Sequence, residues 1–133
     1  MKRIKLFLHE PTINRAIGRE VDILLEDNAS LVDAIIKVDK MIASKGGFPV
    51  PDYRSLLHMV YNPVENRFYK QVAVTAYDKE GKSLNVREEP REELHEGMTV
   101  TLIPAGGCIS EWEEAIDYGE FLKAASVGSI EEL

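Results

Sequence analysis

The chain opens on alternation. Ile4, Leu6 and Leu8 fall on one side of residues 2–8, a period of two that predicts a half-buried strand. Val21, Ile23 and Leu25 repeat the pattern over residues 19–25, after a connection bracketed by Pro11 and Gly18. Two such strands across a short linker read as an antiparallel hairpin. The period then changes. Ser30 and Asp33 form a capping-box pair, with Asp where Glu or Gln is usual. Leu31, Ala34, Ile35, Val38, Met41 and Ile42 follow at spacings of three and four, so residues 30–44 are expected to be an amphipathic helix. Lys45, Gly46 and Gly47 supply its stop.

The middle of the chain is less regular. Residues 48–70 hold Pro49, Pro51 and Pro63 and five aromatics, Phe48, Tyr53, Tyr61, Phe68 and Tyr69. Here residues 55–61 read as a strand and residues 62–66 as a turn. Residues 68–77 look extended, with Val72 and Val74 on one face, and Glu80-Gly81 turns the chain into a short strand at 83–86. The charge run from 87 to 96 reads as a solvated connection. Met98, Val100 and Leu102 then alternate with threonines, a strand over 98–104. After Gly107 the pattern is helical again. Ser110 and Glu113 make a second capping-box signature, and Trp112, Ala115, Ile116, Gly119 and Leu122 share a face, with Gly119 weakening it by about 1 kcal/mol.

Composition narrows the class. The 133 residues suit one domain, and 44% hydrophobic with 29% charged residues is ordinary for a globular protein. Lysines interrupt the first eight residues where a signal peptide needs an apolar run, and no stretch is long enough for a spanning helix. The expectation is a cytoplasmic protein with no membrane partner. The net charge of −7 is unevenly placed: residues 108–133 hold seven acidic groups and only Lys123, while residues 1–107 are near neutral. No surplus of Lys and Arg marks a nucleic-acid binder.

The order strand, strand, helix, central strand, terminal strand, Gly-Gly carries a resemblance. The run Leu94-His95-Glu96-Gly97-Met98-Thr99-Val100-Thr101-Leu102-Ile103-Pro104-Ala105-Gly106-Gly107 resembles the ending of the MoaD/ThiS-like sulfur carriers. The family shows a turn glycine, an apolar strand, often a proline, and then Gly-Gly. Val72-Ala73-Val74 resembles the family's central strand, although Thr75 stands where asparagine often follows. The likeness spans roughly residues 1–45 and 72–107. It implies an α+β fold, a ubiquitin-like β-grasp with a mixed sheet and one main helix, here with an inserted hairpin at 46–70 and a helical, acidic extension at 108–133. The insertion is expected to be dispensable for folding, since short connections serve the smaller relatives.

The resemblance also implies a chemistry. In the family the terminal glycine's carboxylate is adenylated by a ubiquitin-activating-type adenylyltransferase, converted to a thiocarboxylate, and delivered to a sulfur-accepting enzyme. Gly106 and Gly107 are then the activation residues. Two glycines suit an arm that threads a narrow channel, and Pro104 stiffens it. The carrier itself has no catalytic residues and no cofactor. Here, however, 26 residues follow Gly107, so its carbonyl is an amide. Two readings stay open. The Gly107–Cys108 bond is cut, making Gly107 and Cys108 the processing site, or the chain is an unconjugated interaction module. In the second reading Trp112, Ile116 and Leu122 bind a partner or the body of the chain, or the aromatic insertion binds a partner protein.

Other features carry less. Cys108 is the sole cysteine, which rules out an internal disulfide and a four-ligand iron–sulfur cluster. Its thiol lies beside the Gly107 carbonyl, but a small residue at a strand end is the plainer reading. His9, His58 and His95 show no ligand spacing, so no metal site is expected. Gly81-Lys82-Ser83 lacks the upstream glycine of a phosphate loop, since Ala76 stands there. The aromatics of 48–70 read as a hairpin packed on the sheet rather than a ligand pocket.

Overall fold

The computed structural model describes residues 1–106 and 112–125. Chain order runs β1 (Lys2–Leu8), α1 (Pro11–Ile17), β2 (Glu20–Leu25), α2 (Leu31–Ala43), α3 (Leu56–Val60), β3 (Tyr61–Asn62), β4 (Arg67–Phe68), β5 (Ala73–Tyr77), β6 (Ser83–Leu84), β7 (Thr99–Ile103) and α4 (Tyr118–Ala124). A five-stranded sheet has the order β2-β1-β7-β5-β6, and β3 with β4 forms a separate hairpin. β1 pairs antiparallel with β2 and parallel with β7, with Leu6 opposite Val100 and Leu8 opposite Leu102. The sheet is therefore mixed. Alternation places Ile4, Leu6, Leu8, Val21, Ile23, Leu25, Val100 and Leu102 on one buried face, each at most 4% exposed.

The connection between β1 and β2 is a helix rather than a bare linker. Glu10 accepts the Ile13 amide at 2.8 Å, Pro11 starts the first turn, and Gly18 closes it at φ 87°. Fully buried Ile13 pins α1 to the core. The helix over residues 31–43 forms as its pattern predicts, with both halves of the Ser30–Asp33 capping box made. It buries more than one stripe. Val32, Ile36 and Asp39 are also covered, whereas Met41 is 37% exposed and does not join the core.

The second burying surface is the segment 46–70. Residues 56–60 are helix, not strand, and the local sequence hides the reason. Ser55 caps α3 by accepting the His58 amide, while the Asp39 carboxylate, on α2, accepts the Leu56 and Leu57 amides at 2.6 and 3.0 Å. Three donors of a single helical turn are satisfied, two of them from 17 and 18 residues away. The turn at 62–66 forms as expected, with Asn62 Oδ1 accepting the Val64 and Glu65 amides. Leu56, Leu57, Val60, Tyr61, Phe68 and Tyr69 are all at most 1% exposed and belong to the same core as α2 and the sheet. Burial on this scale weighs against replacing the segment by a Gly/Ser linker, because burying each large apolar side chain contributes about 1.5–3 kcal/mol.

The charged connection at 87–96 is likewise more than solvated chain. Leu94 is buried and its amide donates to Ala29 O, and Pro90 O accepts the Val32 amide. Lys2, although in β1, is only 4% exposed, and its ammonium donates to the carbonyls of Asp27, Ala29 and Leu94. A buried ammonium is tolerated where its donors find acceptors. One lysine thus joins the start of β1, the entry to α2 and the approach to β7.

Burial pushes the Asp39 carboxyl up from its ordinary 3.8 to about 6, against the lowering effect of its two amide donors. The folded chain binds that proton more tightly than the unfolded chain. Stability from this group is therefore fullest below about pH 4 and is lost as the pH rises through about 6. In urea melts, the wild type should lose about 2–3 kcal/mol relative to Asp39→Asn between those pH values. Asp39→Ala, which strands the two α3 amides, should cost about 2 kcal/mol at the acid end. A pH-independent difference between wild type and Asp39→Asn would contradict this account.

Candidate functional site

The end of β7 leads to the glycines. Ile103 is half-buried, Pro104 buried, and Gly106 exposed. Gly106 is nevertheless seated: its amide donates to Gln71 O at 2.9 Å. A Cβ on Gly106 would lie 2.7 Å from Ile103 Cγ2 and 2.9 Å from the Ala73 Cβ, closer than real Cβ atoms approach. Glycine is required here by packing within the chain, a reason that the sequence pattern does not reveal. Gly107, Cys108 and Ser110 lie outside the described residues.

Residues 112–125 lie across the segment that precedes β5. Glu113 makes a two-pronged ion pair with Arg67, Nη1 to Oε1 at 2.8 Å and Nη2 to Oε2 at 2.7 Å, and also accepts the Lys70 amide at 2.7 Å. The Gln71 side chain pairs with the Glu113 backbone in both directions, donating to its carbonyl at 2.9 Å and accepting its amide at 3.1 Å. Tyr69 Oη accepts the Ile116 amide at 3.1 Å. The Arg54 amide donates to His58 Nδ1, which leaves His58 Nε2 as the protonated nitrogen that donates to Ile116 O at 2.8 Å. Beyond this, α4 turns its apolar side inward. Phe121 and Ala125 are fully buried. The His58 ring meets Tyr118 and Phe121 edge-on at 5.1 and 5.5 Å, and the Arg54 guanidinium lies 5.0 Å above the Tyr118 ring.

The tail docks on its own chain, but not through the helix that the pattern suggested. Residues 112–117 are not helical, α4 starts at Tyr118, and its cap is Asp117, which accepts the Gly119 amide. Glu113 is not a capping residue here because Arg67, Lys70 N and Gln71 hold it. Trp112 is 54% exposed and Gly119 is exposed, so neither belongs to the buried face; Ile116 and Leu122 are partly buried against the core. The deepest anchors, Phe121 and Ala125, were missed. Their signal was present as Tyr118, Phe121, Leu122 and Ala125 at spacings of three and four after Asp117.

The charges in this contact are well matched. The Arg67 guanidinium holds the Glu113 carboxyl down from 4.5 to about 2, and the carboxylates of Glu113 and Glu65 raise Arg67. Burial raises the Tyr69 phenol. Among the described residues no group of three or more His, Cys, Asp and Glu side chains could hold a metal ion. No helix among them is long and apolar enough to cross a membrane.

The architecture matches the crystal structure of the small archaeal modifier protein 1 from H. volcanii, with a TM-score of 0.51 at 15% identity over 78% of this chain and 98% of that one. The fold is a ubiquitin-like β-grasp. A structure of SAMP1 from Haloferax volcanii gives 0.49 at 15% identity, over 82% and 98% of the two chains. The putative molybdopterin converting factor subunit 1 from Pyrococcus furiosus gives 0.45 at 18%, over 78% and 98%. No family model matches the sequence, and no curated protein matches it. The β-grasp is the fold that the resemblance to MoaD/ThiS-like carriers implied, and β7 is its terminal strand. Within the β-grasp, Gly106 lies where that strand runs out, its amide on Gln71 O and with no room for a Cβ beside Ala73 at the start of β5.

Two outcomes follow from this geometry. Gly106→Ala should lower stability by about 1–3 kcal/mol, the cost of overpacking, because Ile103 and Ala73 must shift; a melt unchanged by it would show that the glycine is not seated. Arg67→Ala should cost about 1 kcal/mol near neutral pH, since the pair is partly solvated. Glu113 binds its proton more weakly when folded, so its contribution is full above pH 4.5 and is lost as the pH falls through about 2. The gap between wild type and Arg67→Ala in thermal melts should therefore shrink across that acid window.

Proposed function

We propose that this chain is a ubiquitin-like sulfur carrier made with a tail that has to be removed before it acts. The observation that carries the reading is Gly106 at the end of the terminal strand of a β-grasp, with Gly107 next in the sequence. Cutting the Gly107–Cys108 bond creates the carboxylate that the chemistry needs. That carboxylate attacks the α-phosphate of ATP on an adenylyltransferase and displaces pyrophosphate. A sulfide-equivalent donor then displaces AMP to leave the thiocarboxylate, which a sulfur-accepting enzyme consumes. The chain's own residues do no catalysis in this scheme; they present the arm and a surface for the partner enzymes. The fold match to the small archaeal modifier protein supports the reading through fold alone.

A second reading is favoured by the docked tail. With Phe121 and Ala125 buried and Glu113 held by Arg67, Lys70 N and Gln71, the tail is part of the folded body. An unconjugated β-grasp interaction module would use the same contacts permanently.

A single truncation separates the two. The chain ended at Gly107 should support pyrophosphate exchange with its cognate adenylyltransferase, while the full chain should not, because only a free carboxylate can attack ATP. The intact mass from the native cell should include a species ending at Gly107, or that species heavier by the replacement of one oxygen with sulfur. Full-length mass only, with no adenylate formed by any candidate activating enzyme, would leave the module.

A further inference from the structure

The contacts that hold the tail come from side chains and backbone lying on the body, and they are spread along the whole docked segment. Arg67 and the Lys70 amide take the Glu113 carboxylate. Gln71 takes the Glu113 backbone as a strand neighbour would. Tyr69 and His58 take the amide and the carbonyl of Ile116. His58 also forms one side of the aromatic seat of Phe121, which is fully buried. A peptide recognised through a carboxylate, two backbone positions and an aromatic anchor has the components of a ligand in its own right. None of these contacts needs the covalent link through residues 107–111.

We propose that Arg67, Tyr69, Gln71 and His58 form a peptide-binding site whose ligand is residues 112–125 of this same chain, bound after the chain is cut as it was before. The ligand class is a non-helical acidic segment followed by a short helix with an inward aromatic, as in Glu113, Ile116 and Phe121. The inference deepens the carrier reading and rests on it for its biological consequence: cutting and release become separate events. Gln71 makes the coupling physical. Its side chain holds Glu113 while its carbonyl accepts the Gly106 amide, so the bound tail steadies the residue on which the glycine arm is seated. While the peptide stays in place, Gly106 is held by Gln71 O, next to Ala73 at the start of β5. The arm becomes free to enter an activating enzyme only when the peptide leaves, for which the cut alone does not suffice.

The test uses the full chain with a site-specific protease sequence inserted after Gly107, cut to completion and kept under native conditions. On gel filtration and native mass analysis the tail fragment should travel with the body, and the Gly106 amide should exchange with deuterium as slowly as in the uncut chain. Adding the Arg67→Ala and Gln71→Ala changes together should weaken retention by about tenfold or more, since charge-assisted and paired hydrogen bonds are lost. Gly106 exchange should then quicken, while the uncut double variant keeps the circular dichroism of the parent. Separation of the tail from the cut wild type would overturn the proposal, as would Gly106 exchange that ignores whether the tail is bound. Should the native cell yield no species ending at Gly107 while the cut tail is retained, the carrier reading falls and the peptide site stands.

Discussion

The parallel pairing of β1 with β7 is the constraint on which the rest of the structure depends. Parallel neighbours cannot be joined by a hairpin, so the chain between them has to cross the sheet and return. That crossing is what α2 provides, and its apolar side is covered by the face that β1, β2 and β7 bury. Placing β7 between β1 and β5 makes the last strand a central one, with both edges hydrogen-bonded. Whatever follows β7 therefore leaves from the middle of the sheet, next to the start of β5, and Gly106 meets Ala73 and Gln71 as a consequence. The Lys2 ammonium strengthens the same arrangement from the other end by gathering the carbonyls of Asp27, Ala29 and Leu94.

A second layer is built on α2 by residues 46–70 and by the tail. Asp39 supplies the acceptors that let a five-residue helix exist, and α3 then offers His58 to the tail. The two carboxylates in this layer work in opposite electrostatic regimes. Asp39 is desolvated and takes up its proton more readily than an ordinary Asp, whereas Glu113 faces a guanidinium and gives its proton up more readily than an ordinary Glu. Mild acid therefore favours the α2–α3 junction and leaves the tail contact intact until the pH approaches the depressed value of Glu113. The tail contact is salt-sensitive in principle, because its ion pair is partly solvated, but Phe121 and Ala125 are not.

Gly106 and the tail meet the body on one stretch, residues 69–71. The backbone of Gln71 serves the arm and its side chain serves the tail. On the proposed reading a carrier needs Gly106 free and a precursor needs it held, and Gln71 is placed to serve both states. For a permanent module the same residue would only brace the end of the sheet.

Periodic elements with local caps were legible in the sequence. The strands at 2–8, 20–25 and 99–103, the 31–43 helix with its capping box, and the order leading to Gly-Gly follow from spacing and from side chains within four residues of one another. Such features survive translation from sequence to structure because their energetics are local: a period of two or of 3.6 decides which face is buried, and Ser30 with Asp33 decides where the helix starts. Wherever a partner from elsewhere completes the element, the sequence was silent. Residues 55–61 look like a strand until Asp39 accepts the first amides of α3. Glu113 looks like a capping residue until Arg67, Lys70 N and Gln71 occupy it, which moves the start of the tail helix to Asp117. Gly106 looks like a channel-threading glycine, and only the packing of Ile103 and Ala73 shows that it has no room for a Cβ. The sequence by itself determined the β-grasp elements and their order, because periodicity and capping are short-range. The tertiary structure decided what residues 46–70, the tail and Gly106 do to one another, because the contacts that seat the tail join residues more than 40 positions apart.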